Sequence, residues 1–472
     1  MSNLRFILKV LRFHPEWWAA YKLAQKKPQF ENEFSAKPKH IGFLLRTASF
    51  LLSIVKLMDL RKKNHGVEGA DCLVFASTQN QATALKKTVW ALHEKGMKLH
   101  CVISSEALSH FARSENLNCN NITLRFFDAI QVIMIACVRA PFLWKYLSSQ
   151  DHTLRQWYLD AFLRSYIYLV FFNQLLDAID AKLVLVSNDH SAPHRCLIAL
   201  ARVKGIRTAY IQHASVLSDF PALCFEYALL DGSVALQRYR IAESNQPKGF
   251  PLPEKRHVFL TGQKKPVYPL GNLSRERVGV AVNPSDSLEH IKALVENLNN
   301  AGFLLGLRWH PGMGESKKRS LTRLYSSSEM VVLSDPKIES VGDFLQGICA
   351  LIAGNSSIHL EAALAGVVPI YYEISPVSRP DYYGYVENGL SIGVERSQLI
   401  AAISDAMAGQ CVPDQVAVRT YSATFNTEWE GEEGELAAGI LMHVFEGGDP
   451  AQCWGYAGVI RCDSVMACER YC

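Results

Sequence analysis

The sequence predicts an α/β fold of two domains, each a doubly wound parallel sheet, entered through a basic helical segment. Three observations carry that expectation. Short apolar runs of strand length alternate with stretches of helical periodicity along most of the chain. A Pro, Gly and Lys rich interval near the middle interrupts the alternation. Residues 350–370 read as strand, small polar turn, helix and next strand, a complete βαβ unit.

At 472 residues the chain is long enough for two or three ordinary domains, and 49% hydrophobic residues is what a globular protein carries. A net charge of +4 is too small to make nucleic acid the main partner. The charge is unevenly spread: residues 1–63 hold 13 Lys and Arg against 4 Asp and Glu. Phe6, Phe13, Trp17 and Trp18 lie in the same segment, and its apolar run 41–60 is broken by Arg46 and Lys56. No stretch here has the roughly 18 to 20 uncharged apolar residues of a spanning helix, and no signal peptide is expected. Residues 1–65 therefore have two readings, a segment lying on an anionic membrane surface or ordinary helices covering the first domain. The first implies a cytoplasmic protein bound peripherally to the inner membrane. Twelve cysteines, none in a CxxC pair, fit small buried hydrophobes in a reducing compartment. Residues 446–472, with the last four cysteines, read as a weakly ordered tail without zinc spacing, metal binding being the lesser alternative.

The first domain, expected over 66–250, opens with strand 71–77, helix 81–96 and strand 98–104. Two long apolar and aromatic segments follow over 127–179. Asp160, Arg164, Asn173 and Asp177 interrupt the second, favouring buried or interfacial helices over spanning ones. Strand 182–187, helix 193–204 and strands 207–212 and 225–230 resume the order of a parallel sheet. Residues 251–276 are expected as a linker containing a short strand over 257–260. The second domain, 277–445, continues with strand 277–283, helix 287–302, strands 303–309 and 330–333, helix 341–347, the 350–370 unit and helix 396–408. The last helix of the chain is expected to pack back toward the first domain.

The 350–370 unit is also where chemistry becomes legible. Its first strand ends in Gly354-Asn355-Ser356-Ser357, where a glycine and two hydroxyls let backbone N–H groups and side-chain oxygens approach a nucleotide phosphate. Glu361 stands one helical turn beyond Ser357, placed to accept from ribose hydroxyls. The plainer reading is that Ser356 or Ser357 caps a helix. A capping box, however, needs Glu three residues on, and Glu361 is five and four residues away. Strand 303–309 runs into Arg308, His310 and Pro311, polar groups at a carboxyl end, where open α/β sheets bind ligands. A strand-end histidine satisfied by backbone groups is the alternative for His310.

These motifs resemble those of glycosyltransferases with two facing Rossmann-like domains, the GT-B architecture, over roughly residues 71–408. The nearer likeness is to bacterial surface-polysaccharide enzymes: the polysialyltransferase-like and Kdo-transferase-like groups and the CDP-glycerol glycerophosphotransferases. These carry a His-Pro motif, here His310-Pro311 after Arg308, and a downstream Ser-containing motif, here Asn355-Ser356-Ser357. The resemblance implies a metal-independent transferase without a cofactor, its substrate a CMP-, CDP- or UDP-linked donor. Arg308, His310 and Pro311, with Gly354, Asn355, Ser356 and Ser357, would bind the donor, and Glu361 its ribose. Charge on the leaving phosphate would be met by helix dipoles, hydroxyls and a basic side chain.

On the acceptor side, Gln212-His213-Ala214 resembles a Gln-His-Gly sequence whose His is catalytic in the glycerophosphotransferases, with Ala214 where Gly is usual. Asp189 and His190 close the neighbouring strand and would either supply the base or orient His213. Asp231-Gly232 resembles the acidic-Gly motif of bacterial sialyltransferases with one carboxylate in place of two, and also reads as a plain turn. The expected function is glycosyl transfer in capsule or lipopolysaccharide synthesis, with a glycan or lipid-linked glycan as acceptor. Two alternatives stand beside it, a UDP-N-acetylglucosamine 2-epimerase-like isomerase and a non-catalytic assembly protein. The basic aromatic segment favours the transferase over the first, and the presence of both His213 and His310 argues against the second.

Overall fold

The computed structural model describes residues 2–13, 15–16, 42–59, 69–103, 118–150, 152–218, 220–244, 253–264, 276–375 and 381–461. Trp17 and Trp18 lie outside these residues. The chain forms two Rossmann-like domains, each built on a parallel sheet.

The first sheet takes β1 (Cys72–Ala76), β2 (Leu99–Ile103), β3 (Asn118–Asn120), β4 (Leu183–Val186), β5 (Arg207–Ile211), β6 (Tyr227–Leu230) and β7 (Lys255–Leu260), in the order β7-β6-β5-β4-β1-β2-β3. Cys-Leu-Val-Phe-Ala and Leu-Val-Leu-Val are buried along their whole length, as a parallel sheet covered on both faces requires. The helices before and among these strands are α1 (Ser2–Val10), α2 (Phe43–Leu57), α3 (Gln79–Glu94), α4 (Phe126–Gln150), α5 (His152–Ile179), α6 (Ala192–Val203) and α7 (Ser233–Ser244). On one face α5 and α6 bury the larger core, with Phe75 against Phe172 at 5.0 Å between ring centres. The helices α2 and α4 pack outside α5, and Arg46 of α2 is anchored to Asp160 of α5 at 3.1 Å.

The second sheet has six parallel strands, β8 (Arg277–Val282), β9 (Leu304–Trp309), β10 (Val331–Ser334), β11 (Ile348–Ala353), β12 (Val368–Tyr371) and β13 (Ile392–Gly393), ordered β10-β9-β8-β11-β12-β13. Its helices are α8 (Leu288–Asn300), α9 (Glu315–Tyr325), α10 (Val341–Gln346), α11 (Ile358–Leu364) and α12 (Leu399–Met407). The chain then returns through α13 (Gln415–Tyr421) and α14 (Glu433–Phe445). The helix α14 packs on α3, so close that a Cβ on Gly434 would lie 2.3 Å from that of Lys87.

Two expected boundaries move. The 251–276 interval is not wholly a linker, because β7 pairs with β6 inside the first sheet. The 446–472 segment is not simply a tail, because β14 (Tyr456–Arg461) pairs antiparallel with β7 and closes that sheet's edge. Its residues 462–472 lie outside those described. Pairing partners far away in sequence decide both cases, and composition carries no trace of them. The helix α9 has a similar explanation: Glu-Ser-Lys-Lys-Arg-Ser-Leu-Thr-Arg-Leu-Tyr buries only Lys318, Leu321 and Tyr325, too few apolar positions to read as a helix.

Candidate functional site

Both sheets reverse their strand order once, and the second does so between β8 and β11. At the carboxyl ends of those strands lies a cleft of about 330 Å³, within the range of small-molecule sites. The end of β8 supplies Asn283, β9 supplies Arg308, His310 and Pro311, and the turn into α11 supplies Ser356, Ser357 and Glu361. The opposite wall comes from the first domain, where Gln79, Asn80 and Thr83 open α3. Six sequence-predicted residues thus meet in one place.

Their environments differ. Arg308 is buried, and its guanidinium donates to the Ser334 hydroxyl at 2.6 Å and to the Glu339 carbonyl at 3.1 Å. Burial lowers its pKa, opposed by the carboxylates of Glu339 and Glu361, so it braces β9 against β10 and α10 while lining the cleft. His310 is exposed, and its Nδ1 accepts from the Gly312 N–H at 2.9 Å, which leaves Nε2 to carry the proton of the neutral ring. Gly312 permits that contact, since a Cβ there would meet Nδ1 at 3.2 Å. Ser357 occupies the N-cap position of α11 but makes no side-chain capping bond, so capping does not account for it. Glu361 is 6% exposed and faces the cleft.

Gly354 and Asn355 do not line the cleft. The Asn355 amide donates to Glu373 at 3.3 Å and accepts from the Tyr382 N–H at 3.1 Å, tying the corner to β12 and to the loop after it. The Gly354 carbonyl accepts from Nε2 of His359 at 2.9 Å, and the Ser391 hydroxyl donates to the other ring nitrogen at 3.1 Å. His359 is fully buried, and burial pushes its pKa down to about 4. This neutral histidine is the support beneath the Ser356-Ser357 turn. Sequence reading missed it because an isolated His on an apolar helix looks like any core residue.

Asp189, His190 and His213 stand apart from the cleft lining. Nδ1 of His190 lies 2.7 Å from Asp189, whose other oxygen accepts from the Tyr239 hydroxyl at 2.8 Å. Burial alone would raise the Asp189 pKa. The hydrogen bond and charge of His190, the Arg195 charge and the Tyr239 bond outweigh it and hold the carboxyl at about 2. His194, buried and pushed well below the usual range, feels His213 and His190, so the three imidazoles share one neighbourhood. His213 is flanked by Gln212 and Ser215, which line a far smaller cavity against Leu360, Tyr383 and Tyr421 of the other half. Asp231-Gly232 forms the bend between β6 and α7, and its carboxylate is not open. Asp231 is buried 3.5 Å from Lys264, and Gly232 lies flat against the Thr420 backbone.

The wall formed by Gln79, Asn80 and Thr83 was also missed. It was accessible by the rule that identified Arg308, since Ser77-Thr78 close β1 and polar residues at a strand's carboxyl end mark the ligand side. Among the described residues, no three His, Cys, Asp or Glu side chains gather as a metal site.

No protein-family profile matches the chain. No curated protein is similar to it in sequence. Solved structures are similar to it in fold. One is a protein assigned as a UDP-N-acetylglucosamine 2-epimerase in Listeria monocytogenes, with a TM-score of 0.52 and 14% identity over 81% of this chain and 98% of that one. Another is the UDP-GlcNAc 2-epimerase of Neisseria meningitidis bound to UDP-GlcNAc, at 0.50 and 11% over 81% and 100%. The glycosyltransferase of kitacinnamycin overlaps at 0.48 and 11% over 79% and 99%. At these identities the likeness is one of fold, and the chain has the GT-B architecture, two Rossmann-like domains facing a cleft.

Proposed function

We propose that the chain binds a nucleotide-activated sugar in the interdomain cleft and transfers the sugar to an acceptor hydroxyl. One observation carries the reading: Ser356, Ser357, His310 and Glu361 meet at the switch point of the second sheet, facing polar groups of α3. Hydroxyls and the His310 Nε2–H are donors suited to a departing phosphate, and a buried carboxylate suits a ribose. In this reading the CMP-, CDP- or UDP-linked donor is a substrate and no cofactor takes part. His213 and the Asp189–His190 pair are the groups from which the acceptor's base would come, with Asp189 fixing the His190 ring so that Nε2 is the proton-accepting atom. The acceptor we propose is a glycan or lipid-linked glycan of the bacterial surface, in capsule or lipopolysaccharide synthesis on the cytoplasmic side of the inner membrane. The basic residues 1–63 support that setting.

A second reading is favoured by the overlap with two epimerase structures, one of them bound to UDP-GlcNAc. Two measurements separate the readings. Thermal shift against CMP, CDP, UDP and GDP reads the nucleotide, since a ligand at 100 times its Kd adds about 2.7 kcal/mol to apparent stability. Incubation with UDP-GlcNAc in D2O, without acceptor, then reads the chemistry. Exchange of the sugar's C2 hydrogen identifies an epimerase, and its absence with an acceptor-dependent release of nucleotide identifies a transferase. A melting temperature that none of these nucleotides shifts removes the proposed CMP-, CDP- or UDP-linked donor.

A further inference from the structure

Thirteen of the twenty-two large hydrophobic side chains exposed among the described residues lie on just two helices, α2 and α4. On α2 they are Phe43, Leu44, Leu45, Leu51, Leu52 and Val55, and on α4 they run from Phe126 to Trp144. The helices lie side by side and antiparallel. Leu57 at the end of α2 accepts from the Leu124 N–H at 2.8 Å, while Phe43 at its start packs edge-on against Trp144 at 5.6 Å. Both rest on α5, so their outer faces form one strip, roughly 27 Å long on α4 at 1.5 Å per residue.

The strip carries no exposed charge along its length. Arg46 turns inward to Asp160, Asp128 to Arg125, and Arg139 to Glu16. The hydroxyls of Thr47 and Ser53 are taken by backbone carbonyls of α2 itself, and that of Ser49 by Asp160. Exposed lysines occur only at its two ends, Lys56 and Lys145. A protein partner of this size would ordinarily find a hydrogen-bonding group every 100 to 200 Å² or so, and the strip offers little beyond the Gln131 amide and the Trp144 indole N–H. Hydrocarbon needs none, and lysines at the margins reach the phosphates of a headgroup layer. Residues 1–63 add a further excess of basic charge on the same side of the sequence.

We infer that the α2–α4 face is a membrane-docking surface, seated in the headgroup and upper acyl region of an anionic bilayer. Phe126–Ser148 is long and apolar enough to cross a membrane by length and composition, but it packs along α5, and in the docked arrangement it lies in the plane of the surface. This differs from docking by charge alone: part of the binding persists at high salt. The inference is independent of what occupies the cleft.

Flotation of the full chain with phosphatidylcholine vesicles, with and without phosphatidylglycerol, at low and high salt, tests it. The expected result is binding to anionic vesicles that weakens with salt without vanishing. Leu44 and Phe127 are 79% and 78% exposed, and Leu44→Gln with Phe127→Gln should lower partitioning on the order of a hundredfold at both salts, at roughly tenfold for each apolar side chain. The melting temperature should not move. If that pair misfolds, Ile133→Gln with Val138→Gln serves equally. Absence of vesicle binding by the parent, or equal binding by the variants, overturns the inference. So does a parent that light scattering shows to be a dimer and the variants a monomer, for the face is then covered by a second copy.

Discussion

Acidification should loosen the cleft by protonating one buried ring, His359. Its two nitrogens are both engaged: Nε2–H donates to the Gly354 carbonyl, and Nδ1 accepts from the Ser391 hydroxyl. The neutral ring satisfies both partners, and burial, which penalises the charged form, holds the folded pKa near 4 against an ordinary 6.5. The folded state therefore binds fewer protons than the unfolded chain between these values. Stability is fully present above pH 6.5 and declines as pH falls toward 4. At about 1.4 kcal/mol per pH unit the loss is about 2 kcal/mol at pH 5 and about 3 kcal/mol when complete. His194 contributes in the same direction, so the measurement must isolate His359. The variant His359→Gln retains a donor for Gly354 and removes the titration. Urea denaturation at pH 7.5 should find it about 1 to 2 kcal/mol less stable than the parent, the cost of an imperfect buried contact. At pH 5 that gap should close or reverse, since only the parent pays for protonation at this site. A gap of equal size at both pH values would refute the reasoning.

Further predictions concern the cleft and the domain junction. His310→Ala and Ser356→Ala should each weaken nucleotide binding roughly tenfold or more by calorimetry, the loss of a hydrogen bond to a charged group. A His310 variant that binds as tightly as the parent removes the donor assignment. His213→Ala should leave nucleotide binding nearly intact and slow transfer about 100- to 10,000-fold, and retained turnover would point to the Asp189–His190 pair. Gly232→Ala should destabilise by about 3 kcal/mol or more in thermal denaturation, because its Cβ would sit 2.3 Å from the Thr420 carbonyl oxygen and the obstacle is backbone.

The alternation of strand and helix was legible in the sequence because each element's burial pattern is local. β1, β4, β9 and β11 are apolar runs that neighbouring polar turns delimit, with Arg308 and His310 visible at the end of β9 and Ser356 and Glu361 beyond the end of β11. Contacts across long separations were not. β7 looked like a strand inside a linker because its partners are β6 and, some 200 residues on, β14. Gln79 and Asn80 matter only because the second domain faces them. The α2–α4 strip was legible only in part: the sequence allowed buried or interfacial helices there, and only the packing shows which half of α4 the core uses.

The helix α11 joins these two kinds of information. One side of its two turns presents Ser357 and Glu361 to the cleft. The other side presents Leu360 and Ala363 to a small cluster with Val234 of the first domain and Ala417, Val418 and Tyr421 of α13. These cleft-lining groups therefore ride on an element that takes part in the interdomain contact. That contact is further held by the Ser215 hydroxyl on the Tyr385 hydroxyl and by Arg238 on Glu387 at 3.3 Å. Motion of one half against the other must either carry α11 along or break this packing, since a close-packed cluster shifts between discrete arrangements and does not stretch. A ligand that grips Ser357 and Glu361 more strongly in one arrangement thereby sets the domain arrangement too, by no more than the difference in its affinity for the two.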